Sequence, residues 1–153
     1  MKTFQLIFFS LILISSLQAQ NLSINNLIKL NQLNSTESQK FLSDNKWIQK
    51  ESAQNDPYLS LSFQYYENGA LKGLLTKTFD ENLGKVFLSF FDRVKLNIYV
   101  EELRTLGFSK KKSYIEGEKI IDVYQKGNLR LDIQSRPNQP FVISVSMSLV
   151  RDN

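Results

Sequence analysis

The chain contains no histidine and no cysteine among its 153 residues. These two absences remove Ser-His-Asp and Cys-His nucleophilic sites, thiol redox chemistry, and the usual ligand sets for zinc, copper and haem. There is also no Gly-rich phosphate loop and no EF-hand loop, so no cofactor or metal is expected. Charge of one sign is only mildly in excess, at a formal +4. A small positive balance favours solubility, and no nucleic-acid-binding motif accompanies it. The one basic run, Lys110-Lys111-Lys112, reads as a solvated strand edge, where lysines discourage edge-to-edge pairing.

The N-terminus carries a different kind of information. Met1-Lys2 is a short positive region, Phe4 to Leu17 is apolar or hydroxylic apart from Gln5, and Ser15-Ser16-Leu17-Gln18-Ala19 ends in small and polar residues. That order is read by signal peptidases, and it is too short for a membrane anchor, which needs roughly 20 apolar residues. Residues 1–19 are therefore expected to be a signal peptide, and residues 20–153 a single exported domain, secreted or periplasmic. No cysteine follows the apolar stretch, which excludes lipoprotein acylation. A small exported eukaryotic protein would more often carry disulfides, so the source reads as bacterial. In that setting the Asn-x-Ser/Thr triplets at Asn21 and Asn34 are chance matches.

Within the mature part the pattern helix, aromatic, strands occurs twice. Asn34-Ser35-Thr36-Glu37 reads as a capping box opening a helix that carries Phe41 and Leu42 and stops near Asn45, before Trp47. Farther on, Leu96, Tyr99, Val100, Leu103 and Leu106 recur at helical spacing, and Gly107 stands where a left-handed cap belongs, before Phe108. Leu42 and Trp47 thus match Leu103 and Phe108. Tyr66-Glu67-Asn68-Gly69-Ala70-Leu71 parallels Tyr124-Gln125-Lys126-Gly127-Asn128-Leu129, and Asn68-Gly69 is a strong hairpin signal. Strands are expected on both sides of each turn, with further strands over Val86–Phe91 and Phe141–Val150. The segments around Asp56-Pro57 (Ala53 to Pro57) and from Arg136 to Pro140 read as loops. Asn21 to Leu33 reads either as a short helix or as a disordered leader.

These expectations define an α+β domain of two tandem repeats, about 35–92 and about 94–150, forming one antiparallel sheet with helices on one face. That layout resembles the β-lactamase inhibitor proteins, in which a helix-first unit with about four antiparallel strands is duplicated into one sheet. It is also similar to short exported proteins of the Bacteroidetes type, with Ala19-Gln20 at the cleavage point. The resemblance implies a concave sheet face laid on a partner protein, and carries over no individual residue.

Carboxylates are the remaining catalytic option, as in glycoside hydrolysis. Asp80, Glu81, Asp92, Glu101, Glu102 and Asp132 read as turn, cap and solvated-face residues. Aromatics are the better lead. If Asn68-Gly69 makes a two-residue turn, Tyr66 faces Leu71 and Tyr58 faces Phe79 across the sheet. Tyr58, Tyr66, Leu71, Leu75 and Phe79 then share the face opposite Leu59, Leu61 and Phe63. In the second half the outer face would carry Arg130, Asp132, Gln134, Ser144, Ser146 and Ser148. The parity of the two halves conflicts, because the Tyr124–Leu129 pair falls on the buried side. The resulting expectation is a non-catalytic binding protein using Tyr58, Tyr66, Leu71, Phe79, Arg130, Asp132 and Gln134 toward a protein or envelope component. Homodimerisation through the same face is a third option, and a small carboxylate-dependent glycan hydrolase is the enzymatic alternative.

Overall fold

The computed structural model describes residues 22–55, 58–79 and 84–147. The signal-peptide expectation over 1–19, Asp80, Glu81 and residues 148–150 of the last expected strand lie outside them.

The described residues form an α+β fold with three helices, α1 (Ile24–Gln32), α2 (Ser35–Asp44) and α3 (Arg93–Thr105). Its strands are β1 (Ile48–Asn55), β2 (Tyr58–Glu67), β3 (Ala70–Phe79), β4 (Lys85–Phe90), β5 (Ser109–Glu116), β6 (Lys119–Lys126), β7 (Leu129–Ser135) and β8 (Phe141–Met147). They form one sheet in the order β1-β2-β3-β4-β8-β7-β6-β5, and every neighbouring pair is antiparallel. The N-terminal segment is a helix: the Ser23 hydroxyl accepts from the Asn26 amide, and Ile24, Leu27 and Leu30 are buried. Ala53 to Asn55, expected in a loop, instead complete β1 by pairing with Ser60, Leu59 and Tyr58.

Local chemistry explains the helix limits. Asn34 and Glu37 form the capping box, with each side chain accepting from the other residue's backbone amide. Asp92 caps α3 through the Val94 and Lys95 amides. Both α2 and α3 stop the same way. The Trp47 amide donates to the Leu42 carbonyl at 2.9 Å, and the Phe108 amide to the Leu103 carbonyl at 2.9 Å. The residue just before each aromatic is left-handed, Lys46 at φ 64° and Gly107 at φ 80°, which is the Schellman ending. Three residues past each aromatic, an extra residue bulges from the strand: Lys50 in β1 and Lys111 in β5. Both strands are sheet edges, and a bulged lysine there blunts edge-to-edge pairing. All of β5 is exposed, as the lysine run suggested.

The core is one cluster. Leu61, Phe63 and Tyr65 of β2, Leu75 of β3, Val86, Leu88 and Phe90 of β4, Leu131 and Ile133 of β7, and Ile143 and Val145 of β8 bury together with Leu27, Leu30, Leu42, Tyr99 and Leu103 of the helices. The Tyr99 hydroxyl donates to the Leu22 carbonyl at 2.8 Å, which ties the start of the described chain to α3. Lys77 is fully buried in this layer. Its ammonium donates to the Leu30 and Leu33 carbonyls at the end of α1, where a cation also complements the helix dipole. Burial lowers its pKa to about 8, against the opposing pull of the Glu37 carboxylate.

The observed register corrects the regular-strand expectation. Tyr66 does pair with Leu71, but Tyr65 pairs with Gly73, so Lys72 is an unpaired extra residue in β3. Beyond that bulge, Leu75 pairs with Phe63 and Phe79 with Leu59. Residues opposite one another across a ladder share a face. Leu75 and Phe79 therefore lie on the buried face with Leu59, Leu61 and Phe63, not with Tyr58 and Tyr66. In the second half, Lys126 pairs with Leu129, and Tyr124 with Leu131. The turn-flanking pairs Glu67–Ala70 and Lys126–Leu129 correspond, so the counterpart of Tyr124 is Tyr65, not Tyr66. Both are buried, and the parity conflict disappears.

Candidate functional site

Period-two alternation along the ladders defines an outer face. Ser62, Thr76, Phe87, Ser144, Asp132 and Val123 form one continuous row across it, each paired with the next. The adjoining row runs through Gln64, Leu74, Ser89, Val142, Gln134 and Ile121. The centre is thus floored by the hydroxyls of Thr76, Ser89 and Ser144 with Phe87 and Val142, all half-buried.

Apolar exposure concentrates where β2 and β3 meet at their hairpin. Tyr66 is 39 % exposed and Leu74 42 %. The Tyr66 hydroxyl donates to Gln64 Oε1 at 2.6 Å, and Lys50 Nζ lies 5.8 Å from its ring centroid, within cation–π range. Leu71, opposite Tyr66, is also exposed. Tyr58 is 55 % exposed but stands at the other end of β2. Eight residues of strand put it roughly 27 Å from Tyr66, so the two tyrosines share a face without forming one contact patch. Phe79 is on the buried face, half-buried, with Lys77 Nζ 4.6 Å from its ring centroid.

A second cluster lies on β7, four strands away from β2 and hence at roughly 19 Å. Arg130 and Asp132 are joined by a forked pair, with Nε to Oδ1 at 2.9 Å and Nη2 to Oδ2 at 2.8 Å. Hydrogen bonding to Asp132 is the main reason the Arg130 guanidinium is held above its ordinary pKa, with the Tyr114 hydroxyl a lesser contributor. Gln134 lies next along the strand, opposite Ile121. Sequence reasoning missed Leu74, Tyr114, Ile121 and Val123 as members of this face. Ile121 and Val123 are buried on it. The signal was present in Ile120-Ile121-Asp122-Val123-Tyr124, an apolar run broken only by Asp122, with apolar residues at both parities as expected of a strand covered on both sides.

Among the described residues, the candidate carboxylates named from the sequence are committed to structure. Glu101 pairs with Arg104, Asp132 with Arg130, and Asp92 Oδ1 accepts from two helix amides. Glu102 accepts from the Asn25 amide at 3.4 Å. Glu67 and Asp92 line a common groove of about 430 Å³ with Lys95 and Lys72. Burial lowers the Lys95 pKa, and Asp92 and Glu67 oppose that shift. Asp122, on the buried face, is pushed up by burial, but the Ser113 hydroxyl and Lys110 ammonium outweigh that and hold its pKa low. Among the described residues no group of three or more acidic side chains is placed to hold a metal ion, and no helix is long and apolar enough to cross a membrane. Comparison with protein-family models, curated proteins and solved structures finds no match.

Proposed function

We propose that the mature chain is an exported, non-catalytic binding protein that contacts a protein or envelope component through the outer face of its sheet. The observation carrying this reading is the exposed Tyr66–Leu74 patch beside a hydroxyl-rich floor, on a face that spans all eight strands. Tyrosine and leucine exposed together on a rigid sheet supply contact area at little cost in side-chain entropy. Export rests on the N-terminal pattern alone. The resemblance to the β-lactamase inhibitor proteins, which dock a sheet face on a partner, agrees with this reading.

The same reading takes the domain as two copies of one helix-plus-four-strand unit, with the helices on one face. Its support is residue-level. Lys46, Trp47 and Lys50 correspond to Gly107, Phe108 and Lys111 at a constant spacing, in helix ending, aromatic and edge bulge alike. Following the ladders from Leu75 and Ile133 makes Leu88 the counterpart of Ile143, and these two residues also pair with each other. A residue pairing with its own counterpart marks the axis of a two-fold arrangement.

Replacing Tyr66 and Tyr58 by Ala tests the site. Capture of a partner from envelope extracts should weaken in the Tyr66→Ala variant and in the double variant, with the melting curve retained. Undiminished capture by the folded double variant would sink the assignment of the site to Tyr58 and Tyr66. The hydrolase alternative rests on Glu67 and Asp92 sharing a groove. It would be favoured by glycan cleavage that is lost in Glu67→Gln.

A further inference from the structure

Where β6 starts, β7 ends and β8 begins, the buried layer opens beside the first turn of α3 into a groove of about 630 Å³. That size lies within the roughly 300–1,000 Å³ usual for small-molecule sites. Its apolar lining is Phe91, Ile120, Pro137 and Phe141, and Phe91 and Ile120 are 73 % and 51 % exposed. Such exposure of two large apolar side chains in one concavity points to a ligand with an apolar body.

The polar half of the lining has one sign. Arg93 and Arg136 both line the groove, and no aspartate or glutamate does. Arg93 makes no salt bridge among the described residues. Arg136 meets only Glu118, whose Oε2 is 3.7 Å from Nε and whose side chain is 81 % exposed. Its Nη1 donates to Gln139 Oε1 at 3.4 Å, a long bond, and its buried Nε has no hydrogen-bond acceptor. A buried donor left unpaired is costly, and a guanidinium fork matches the two oxygens of a carboxylate.

We propose that this groove binds a small monocarboxylate with an acyl or aryl body, its carboxylate on Arg93 and Arg136 and its chain along Phe91, Ile120 and Phe141. Inorganic anions would leave the apolar wall wet, and neutral apolar molecules would leave Arg93 unpaired and Arg136 with only its long contact to the exposed Glu118. This site is separate from the outer sheet face and does not depend on the reading given to that face.

Calorimetric titration of the purified protein with decanoate tests the assignment, with decan-1-ol and N-acetyl-Leu-Phe as comparators. Saturable decanoate binding is expected, weaker by about tenfold or more for decanol, and by a similar factor in Arg93→Gln/Arg136→Gln, the scale of one charge-assisted hydrogen bond. Should the double variant fail to fold, Arg93→Gln alone, an exposed residue of the first helical turn, must show the loss. Phe91→Ala should weaken binding as well. Absence of saturable binding, equal affinity for decanol, or full affinity in the folded arginine variants would overturn the site. Tighter binding of the acetylated dipeptide would place the carboxylate at a polypeptide terminus and overturn the small-molecule assignment.

Discussion

The Trp47 indole lies so close over Gly73 that a methyl group in place of the glycine hydrogen would stand 3.0 Å from the ring carbon Cη2. Trp47 also packs on Tyr65, the cross-strand partner of Gly73, with ring centroids 5.5 Å apart. The missing side chain in β3 is therefore the seat of the only tryptophan. Gly73→Ala gains a little strand propensity and loses more to overpacking, which commonly costs about 1–3 kcal/mol. A net destabilisation of about 1–2 kcal/mol is expected in urea unfolding. Adding Trp47→Phe should remove most of the difference between Gly and Ala at position 73, because the clashing ring edge is gone. An additive double variant would show that the contact is not the cause.

The two helix endings differ in one chemical respect. Both need a left-handed residue, and α3 uses Gly107 where α2 uses Lys46. A side chain in that conformation costs roughly 1–2 kcal/mol. Lys46→Gly should consequently raise stability by about 1 kcal/mol, and Gly107→Ala should lower it by about as much. Thermal melts of the two variants decide this, since the shifts must have opposite signs.

Lys77 gives the stability an alkaline signature. Its pKa falls from the ordinary 10.5 to about 8 in the folded chain. Between those values the unfolded chain holds a proton that the folded chain has lost, so stability rises with pH across the window. The neutral amine keeps two N–H donors for the Leu30 and Leu33 carbonyls. A gain on the order of 2 kcal/mol between pH 7.5 and pH 10 is expected from this group. The comparison that isolates it is the urea stability of wild type minus that of Lys77→Met, measured across that range. A difference that stays flat would mean that Lys77 titrates as an ordinary lysine.

Much of the fold is legible in the residues. The capping box at Asn34, the Gly107 stop, the Asn68-Gly69 turn and the strict alternation of β8 each name a local conformation with few competitors. The faces were harder to read, because face assignment along a strand depends on counting, and one bulge reverses every residue beyond it. Nothing in Leu71-Lys72-Gly73 marks Lys72 as the extra residue. The bulge becomes visible only when Gly73 is seen to sit under Trp47, a contact made across the sequence. The same limit hid Lys77. Buried lysines are rare, and the carbonyls that hold it come from a helix more than forty positions away. The ladders put Tyr58, Tyr66, Arg130, Asp132 and Gln134 on one face, whereas the sequence left the two halves in conflicting parity. Phe79 was carried to the wrong side by the bulge.

Deletions provide a direct test of that bulge. Lys72 has no partner on β2, whereas Leu71 and Gly73 pair with the adjacent residues Tyr66 and Tyr65. Removing Lys72 would leave both pairs in one regular ladder, with Leu75 and Lys77 still buried and the turn at Asn68-Gly69 unchanged. The variant should fold with only a local loss of twist, and its midpoint in urea should move by no more than about 1 kcal/mol equivalent. Removing Leu74 instead keeps Leu75 opposite Phe63 only if Lys72 takes the place of Gly73 opposite Tyr65, which drives a lysine side chain into the seat of Trp47. If the bulge stays, Leu75, Lys77 and Phe79 each turn to the opposite face, so either way the buried face of β3 is broken. Circular dichroism and the emission of Trp47 distinguish the outcomes: a native spectrum for the first deletion and an unfolded one for the second. If instead the Lys72 deletion unfolds the chain and the Leu74 deletion does not, β2 and β3 are not held in this register.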